Sequence, residues 1–181
     1  MKNWLFLDID EVISTYRHAL SIGEEGGVRQ SWDDTALRLI ERAIEGHEVH
    51  LVISSAWRFC QADWEVRYFA NRFRAEGFQE MYRALNRTVE LFGGWNDPQD
   101  KRAPGWSTGP RLNRREMEVD SYINNFCQGD CVVVLDDANL QLKTTSGFVH
   151  VTTPLDGLST ENYIKMREIY DAAVSNVNPI V

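Results

Sequence analysis

The sequence lacks the features of a membrane-spanning or secreted protein. None of its apolar runs approaches the roughly 20 residues that are needed to cross a bilayer. The short apolar stretch near the N-terminus is interrupted by Asp8 and Asp10, which is unlike a signal peptide. We therefore expect a cytoplasmic protein whose residues 1–181 fold as one domain with a substantial core.

Cysteine and histidine are also scarce, and acidic residues outnumber basic ones. Cys60, Cys127 and Cys131 show neither C-x-x-C spacing nor nearby paired histidines, so we expect no disulfide framework and no zinc site. The formal net charge of −8 argues against broad, salt-driven binding to long nucleic acid. A small anionic substrate held by a few local cations remains compatible with this charge.

The first apolar run, W-L-F-L-D-I-D-E-V-I at residues 4–13, has the length of a strand and delivers two carboxylates at its end. Its continuous apolar character favours a strand that is buried on both faces of a parallel sheet. In an extended chain Asp8 and Asp10 point the same way, so their charges must be offset by a cation, a shared proton or water. Mg²⁺ is the chemically best-matched cation, because carboxylates and phosphate oxygens are its usual ligands. Helix capping or turn formation is the alternative explanation for aspartates at such positions.

The next segments predict a strand–helix–strand unit. Residues 14–32 contain three glycines without periodicity and predict a loop or small hairpin over the strand ends. A helix capped by Ser31 or Asp33 then runs to about Gly46. A second buried strand covers residues 49–53, and the unit should form a right-handed parallel crossover.

The second half of the chain continues this alternation. Residues 60–91 predict helices rich in aromatic and arginine side chains, and residues 92–110 predict a long loop of the kind that often acts as a lid. The remaining predicted elements are a helix over about 112–126, a buried strand at 131–135, a short strand at 148–151 and a helix over about 161–175 capped by Ser159 or Thr160. The whole pattern is typical of an α/β protein with a mostly parallel sheet covered on both faces.

Three of the predicted strands end in polar groups that complement one another chemically. Parallel strands bring their C-terminal ends to one edge of a sheet, where residues distant in sequence can meet. Capping explains one acidic strand end more readily than three polar ends, so we predict a shared site. Its members are Asp8 and Asp10, Ser54 and Ser55, and Asp136 and Asp137.

The order of these motifs resembles the haloacid dehalogenase (HAD) phosphohydrolase superfamily, and within it the HAD domain found in multi-domain RNA-repair proteins. The segments that carry the resemblance are L-F-L-D-I-D-E-V-I, V-I-S-S-A-W-R, R-E-M-E-V-D-S-Y-I, V-V-V-L-D-D and H-V-T-T-P-L-D-G-L-S. The resemblance covers nearly the whole chain. It implies a HAD-like Rossmannoid three-layer sandwich with a minimal cap, in which residues 14–32 and 56–110 cover the site.

The resemblance also implies a Mg²⁺-dependent phosphomonoesterase and assigns roles to residues. Asp8 would be the nucleophile that forms an aspartyl-phosphate. Asp10 would be a general acid and then a general base, which requires that it start protonated beside another carboxylate. Ser54 would bind a phosphoryl oxygen, with Ser55 as the alternative. Arg115 would neutralise charge on the transferring group, because R-x-x-E-V-x-x-Y-I matches the family's helix pattern.

Metal and substrate ligands follow from the same resemblance. Asp136 and Asp137 would hold Mg²⁺ together with Asp8 and the backbone carbonyl of Asp10, and either of the pair could contact the metal directly. Arg114 and Lys101 are the alternatives to Arg115 for the phosphate. Arg58 could clamp a phosphate bidentately or lie on a helix surface.

Glu11 occupies the position at which the family usually has glycine after D-x-D. Glycine permits backbone conformations that glutamate adopts only at some cost, and an extra carboxylate near the metal would repel a phosphate unless it points away. This departure could alter specificity, slow the reaction or leave a binding site without turnover. The retained aspartates favour catalysis.

The absence of a large inserted cap favours a phosphate on a larger molecule, such as a nucleic-acid end or a nucleotide. A base could stack on Trp57, Trp95 or Trp106. The cations that could contribute are Arg58, Arg72, Arg74, Arg83, Arg87, Lys101, Arg102, Arg111, Arg114 and Arg115. The alternative function is a catalytically impaired HAD-like module that binds a phosphorylated ligand or a protein partner. An ordinary nucleotide-binding domain is disfavoured because no glycine-rich loop follows the first strand.

Overall fold

A computed structural model describes residues 1–23, 31–56, 66–93, 106–108, 114–143 and 157–177 of the chain. Within these ranges three strands alternate with helices, as expected for an α/β protein. The elements are β1 (Asn3–Leu7), α1 (Tyr16–Ser21), α2 (Asp34–Ile44), β2 (Val49–Ile53), α3 (Val66–Ala75), α4 (Gln79–Leu91), α5 (Arg115–Phe126), β3 (Cys131–Leu135) and α6 (Thr160–Val177). No helix in the described part of the chain is long and apolar enough to cross a membrane.

The three described strands form a parallel sheet in the order β2-β1-β3. Leu7 of β1 is in register with Ile53 of β2 and with Leu135 of β3, so the three strands end at one level. The ladder continues one residue further, because the Asp8 amide donates to the Leu135 carbonyl at 2.9 Å and the Ser54 amide donates to the Leu7 carbonyl at 2.9 Å. The register therefore places the polar residues that follow the strands side by side.

Side chains alternate between the two faces of this sheet and build a core on each. One face packs against α5, and its cluster comprises Trp4, Phe6, Val52, Val132 and Val134 from the strands with Val119, Tyr122, Ile123, Cys127 and Leu140. The other face, which carries Leu5, Leu7, Leu51, Ile53 and Val133, packs against α2, α3, α4 and α6. The result is the three-layer sandwich predicted from the sequence.

Local chemistry explains where the described helices begin and end. The Asp33 carboxylate accepts hydrogen bonds from the Thr35 and Ala36 amides, so Asp33 rather than Ser31 caps α2. The Ser159 hydroxyl accepts from the Asn162 amide at 3.3 Å and caps α6 in the same way. Gly46 follows α2 with a φ of +82°, a left-handed conformation that glycine adopts without steric cost.

One sequence-based expectation changes. Residues 14–32 were expected to form a loop or hairpin, which is wrong for the short helix α1 that Thr15 caps by accepting from the His18 amide. The helices expected over residues 60–91 are present as α3 and α4, which are separated at Gly77 with a φ of +87°, and residues 60–65 lie outside the described residues. The predicted strand at 148–151 and most of the loop at 92–110 lie outside the described residues.

Candidate phosphoryl-transfer and metal site

Three carboxylates converge at the C-terminal edge of the sheet. Asp8, Asp136 and Asp137 each offer one oxygen atom, and these atoms all lie within 4.8 Å of one another. Asp8 and Asp136 are nearly inaccessible to solvent, and Asp137 is half-buried. The predicted meeting of residues from β1 and β3 is present in the fold.

Backbone amides orient the two buried carboxylates. The Asp8 Oδ1 atom accepts from the Ile9 amide at 2.7 Å, and the Asp136 Oδ1 atom accepts from the Ala138 amide at 2.9 Å. These bonds restrain the orientation of each carboxylate and leave each Oδ2 atom available for a further contact. A site whose ligands are held in this way is already organised before a cation or substrate arrives.

Arg115, the first residue of α5, supplies the positive charge that faces these oxygens. Its Nη1 atom lies 3.1 Å from Asp8 Oδ2 and 3.2 Å from Asp136 Oδ2. Its Nε atom lies 3.9 Å from Glu118 Oε2, one turn further along α5. Helix α5 packs on the face of the sheet that bears Phe6 and Val134. Asp8 and Asp136 each come two residues later, so their side chains point to the same face. Arg115 on α5 therefore reaches both carboxylates.

Negative charge at the cluster exceeds what Arg115 offsets. Burial first, and then the charge of Asp8, raise the pKa of Asp136 to about 7, while Arg115 acts in the opposite direction. Burial and Asp8 likewise raise the pKa of Asp137, and Asp10 is close enough to add a smaller upward contribution. A divalent cation would relieve this repulsion, and an all-oxygen donor set is what Mg²⁺ prefers. The residues present therefore fit a Mg²⁺ site.

The sequence matches the family described as "HAD domain in Swiss Army Knife RNA repair proteins" over residues 4–163. The chain belongs to this HAD family. No curated protein and no solved structure matches it. Membership confirms the resemblance seen in the motifs and indicates chemistry of the phosphohydrolase type, which in this superfamily typically uses Mg²⁺.

Of the other predicted site residues of this HAD domain, some lie near the carboxylate cluster, one lies away from it and two lie outside the described residues. Ser54 and Ser55 are fully buried at the end of β2, and Ser54 is the one at the level of Asp8. The Arg114 side chain is 68% exposed and pairs with Glu116 at 2.7 Å, so the fold does not bring it to the carboxylate cluster. Arg58 and Lys101 lie outside the described residues.

Glu11 has a φ of +56°, the left-handed conformation for which glycine is suited. The glycine that the family usually has here would adopt this backbone geometry easily. The substitution by glutamate therefore places a residue with a Cβ in a left-handed conformation, as the sequence analysis anticipated. The side chain is largely buried, and its Oε2 atom accepts from the Tyr16 amide at 3.2 Å. The carboxylate is thus engaged with the start of α1.

Sequence reasoning missed two neighbours of the site. Glu118 is buried next to Arg115, and the signal that could have found it is its spacing of three residues from an arginine on one helix face. Gly157 has a φ of +60° and lies so close to Thr15 that a Cβ there would overlap the threonine Cγ2 atom. Gly157 therefore packs against the turn that follows β1.

Proposed function

We propose that this HAD domain is a Mg²⁺-dependent phosphomonoesterase that acts through an aspartyl-phosphate intermediate. The observation that carries the proposal is the convergence of Asp8, Asp136 and Asp137 beside Arg115. A buried carboxylate nucleophile, further carboxylates and a guanidinium at one sheet edge are the groups that phosphoryl transfer from a monoester requires.

The first half of the reaction forms the intermediate. An Asp8 carboxylate oxygen attacks phosphorus, the bond between phosphorus and the leaving oxygen breaks, and Asp10 donates a proton to that oxygen. Arg115 moves its hydrogen bonds onto the phosphoryl oxygens, and Ser54 binds one of them. Asp8, Asp136, Asp137 and the Asp10 carbonyl would hold Mg²⁺, which would neutralise charge on the carboxylates and the phosphoryl group.

The second half releases phosphate. Asp10, now ionised, takes a proton from water as the water oxygen attacks phosphorus of the aspartyl-phosphate. The bond between phosphorus and the Asp8 oxygen breaks, which returns the Asp8 carboxylate and inorganic phosphate. Asp10 ends protonated and is ready for the next cycle.

Nucleic-acid ends or nucleotides are the proposed substrates, because the matched family is described from RNA-repair proteins and the described residues contain no large inserted cap domain. Of the three tryptophans considered for stacking on a base, Trp106 packs against Phe69 with ring centroids 5.9 Å apart and is half-buried. Trp57 and Trp95, the other two candidates, lie outside the described residues.

The test is phosphate release from an aryl phosphate and from oligoribonucleotides that carry a terminal phosphate, each with Mg²⁺ and with excess chelator. We expect turnover that requires Mg²⁺ and a preference for oligonucleotides in kcat/KM. Release that is unaffected by the chelator would contradict the metal requirement. Tight binding of phosphorylated oligonucleotides with no release under any condition would instead support the alternative, a HAD-like binding module.

A further inference from the structure

Glu11 is joined to the turn after β1 through both its backbone and its side chain. The Glu11 amide donates to the Ser14 carbonyl at 2.9 Å, and its Oε2 atom accepts from the Tyr16 amide at 3.2 Å. The same turn is closed from the other side, because the Ser14 amide donates to the Ile9 carbonyl at 2.8 Å. Asp10 lies inside this closed turn, so its position depends on these bonds.

The conformation of Glu11 carries a cost that its side chain offsets. A residue other than glycine meets steric repulsion at a φ of +56°. A side-chain oxygen that accepts a backbone hydrogen bond in a largely buried position provides a contact that glycine lacks. Glu11 therefore both strains the backbone of the turn and holds the turn through its side chain. A glycine would neither strain the backbone nor form the side-chain hydrogen bond.

The Glu11 carboxylate is directed to the backbone of α1 and not to the metal ligands. The acidic group that converges among the described residues consists of Asp8, Asp136 and Asp137, and Glu11 is not a member. Its Oε2 atom instead accepts a hydrogen bond from the Tyr16 amide, directly after Thr15, which caps α1. This contact corresponds to the case considered in the sequence analysis in which the Glu11 side chain points away from the metal ligands.

We propose that Glu11 is a positioning residue, which ties the start of α1 to the turn that carries Asp10 and so holds the general acid in place. The proposal rests on the function proposed above, because that function assigns Asp10 the role of general acid and base. It predicts that the hydrogen-bond acceptor matters and that the negative charge does not. It also predicts that replacement by glycine, the residue usual in the family, weakens the site instead of restoring it.

Three variants separate the contact, the charge and the backbone strain. Glu11→Gln keeps an acceptor oxygen and removes the charge. Glu11→Ala removes the acceptor and keeps the left-handed strain. Glu11→Gly removes the acceptor and relieves the strain. Each is measured by hydrogen exchange at the Tyr16 amide, by calorimetric Mg²⁺ affinity and by kcat and KM with an aryl phosphate.

We expect Glu11→Gln to keep Tyr16 exchange and kcat within about threefold of wild type. Glu11→Gly and Glu11→Ala should both speed Tyr16 exchange at least tenfold and lower kcat at least tenfold, with KM and Mg²⁺ affinity within about threefold. Increased kcat in Glu11→Gly, or Tyr16 exchange that is the same in all four proteins, would overturn the proposal. If wild type shows no turnover, the proposed phosphatase function fails, and Tyr16 exchange alone decides whether Glu11 holds the turn.

Discussion

The Arg115 Nη1 atom lies 3.1 Å from the Asp8 Oδ2 atom, which joins the first residue of α5 to the residue that follows β1. The same nitrogen lies 3.2 Å from Asp136 Oδ2, so one guanidinium group connects two strand ends. Within the described residues, this guanidinium offsets part of the charge of the two carboxylates. A Mg²⁺ ion bound at the proposed site would share these oxygens with Arg115, and the two cations would repel each other.

Arg115→Ala should bind Mg²⁺ more tightly in the absence of phosphate, by about fivefold or more, because a positive charge next to the ligands is lost. It should also lower kcat by about 10²–10³-fold, because the charge that stabilises the transferring phosphoryl group is lost. Titration calorimetry measures the first effect and steady-state kinetics the second. Arg114→Ala is the matched control: this exposed neighbour pairs with Glu116, and we expect little change in either quantity.

Asp136→Asn should raise the unfolding temperature of the metal-free protein at pH 8. The reason is that burial and the neighbouring Asp8 disfavour the ionised form of Asp136 in the folded state, as its raised pKa shows. Differential scanning calorimetry in chelator provides the measurement. Asp34→Asn, which changes an exposed carboxylate on α2, should give no such gain.

Addition of Mg²⁺ should stabilise the wild-type protein and have little effect on Asp136→Asn. At a Mg²⁺ concentration ten times the dissociation constant, the gain for the wild type is about 1.4 kcal/mol. An equal shift in both proteins would show that the ion binds elsewhere. The same titration with Ca²⁺ reports whether the cluster discriminates by cation size.

Most of the architecture could be predicted because its buried strands appear in the sequence as continuous apolar runs. Residues 49–53 and 131–135 are strands with the predicted bounds. A short, continuous apolar run bounded by polar residues fits a strand that is buried on both faces of a parallel sheet. The convergence of Asp8 with Asp136 follows from this, because parallel strands that are in register end together.

Features that depend on a few residues in a particular backbone conformation could not be predicted. Helix α1 has six residues, too few to show a helical period, and its sequence neighbours three glycines. The contact from Glu11 to the Tyr16 amide depends on a positive φ that glutamate seldom adopts. The closeness of Gly157 to Thr15 joins segments more than a hundred residues apart, for which the sequence has no periodic signal.

Gly157→Ala should destabilise the protein and disturb the turn after β1. A left-handed φ costs a residue with a Cβ about 1–2 kcal/mol, and overlap with the Thr15 side chain adds about 1–3 kcal/mol. Urea denaturation gives the free energy of unfolding. The matched control is Gly77→Ala, which has a φ of +87° but open space around its Cβ position, so only the first cost applies. Equal losses in the two variants would contradict the close packing at Gly157.

Acidification below pH 6.5 should destabilise the wild type relative to His50→Gln. Burial first, and then the charges of Lys2 and Arg87, lower the pKa of His50, and the nearby Asp130 and Glu48 oppose this only in part. The unfolded chain therefore takes up a proton on His50 at a pH where the folded protein does not, and the contribution to stability is lost as pH falls through the unfolded value. Unfolding free energies of both proteins at pH 8, 7, 6 and 5 provide the comparison. A difference that stays constant with pH would contradict the assignment.

The measurement that tests the central claim most directly is the search for a phosphate group on Asp8 during turnover. The wild-type protein, mixed with Mg²⁺ and a phosphate-labelled oligoribonucleotide and quenched in acid within milliseconds, should carry label that hydroxylamine removes, as expected for an acyl phosphate. Asp8→Asn should carry none and should lose turnover by about 10³-fold or more. Phosphate release by the wild type without labelled protein, or unchanged turnover in Asp8→Asn, would contradict the account.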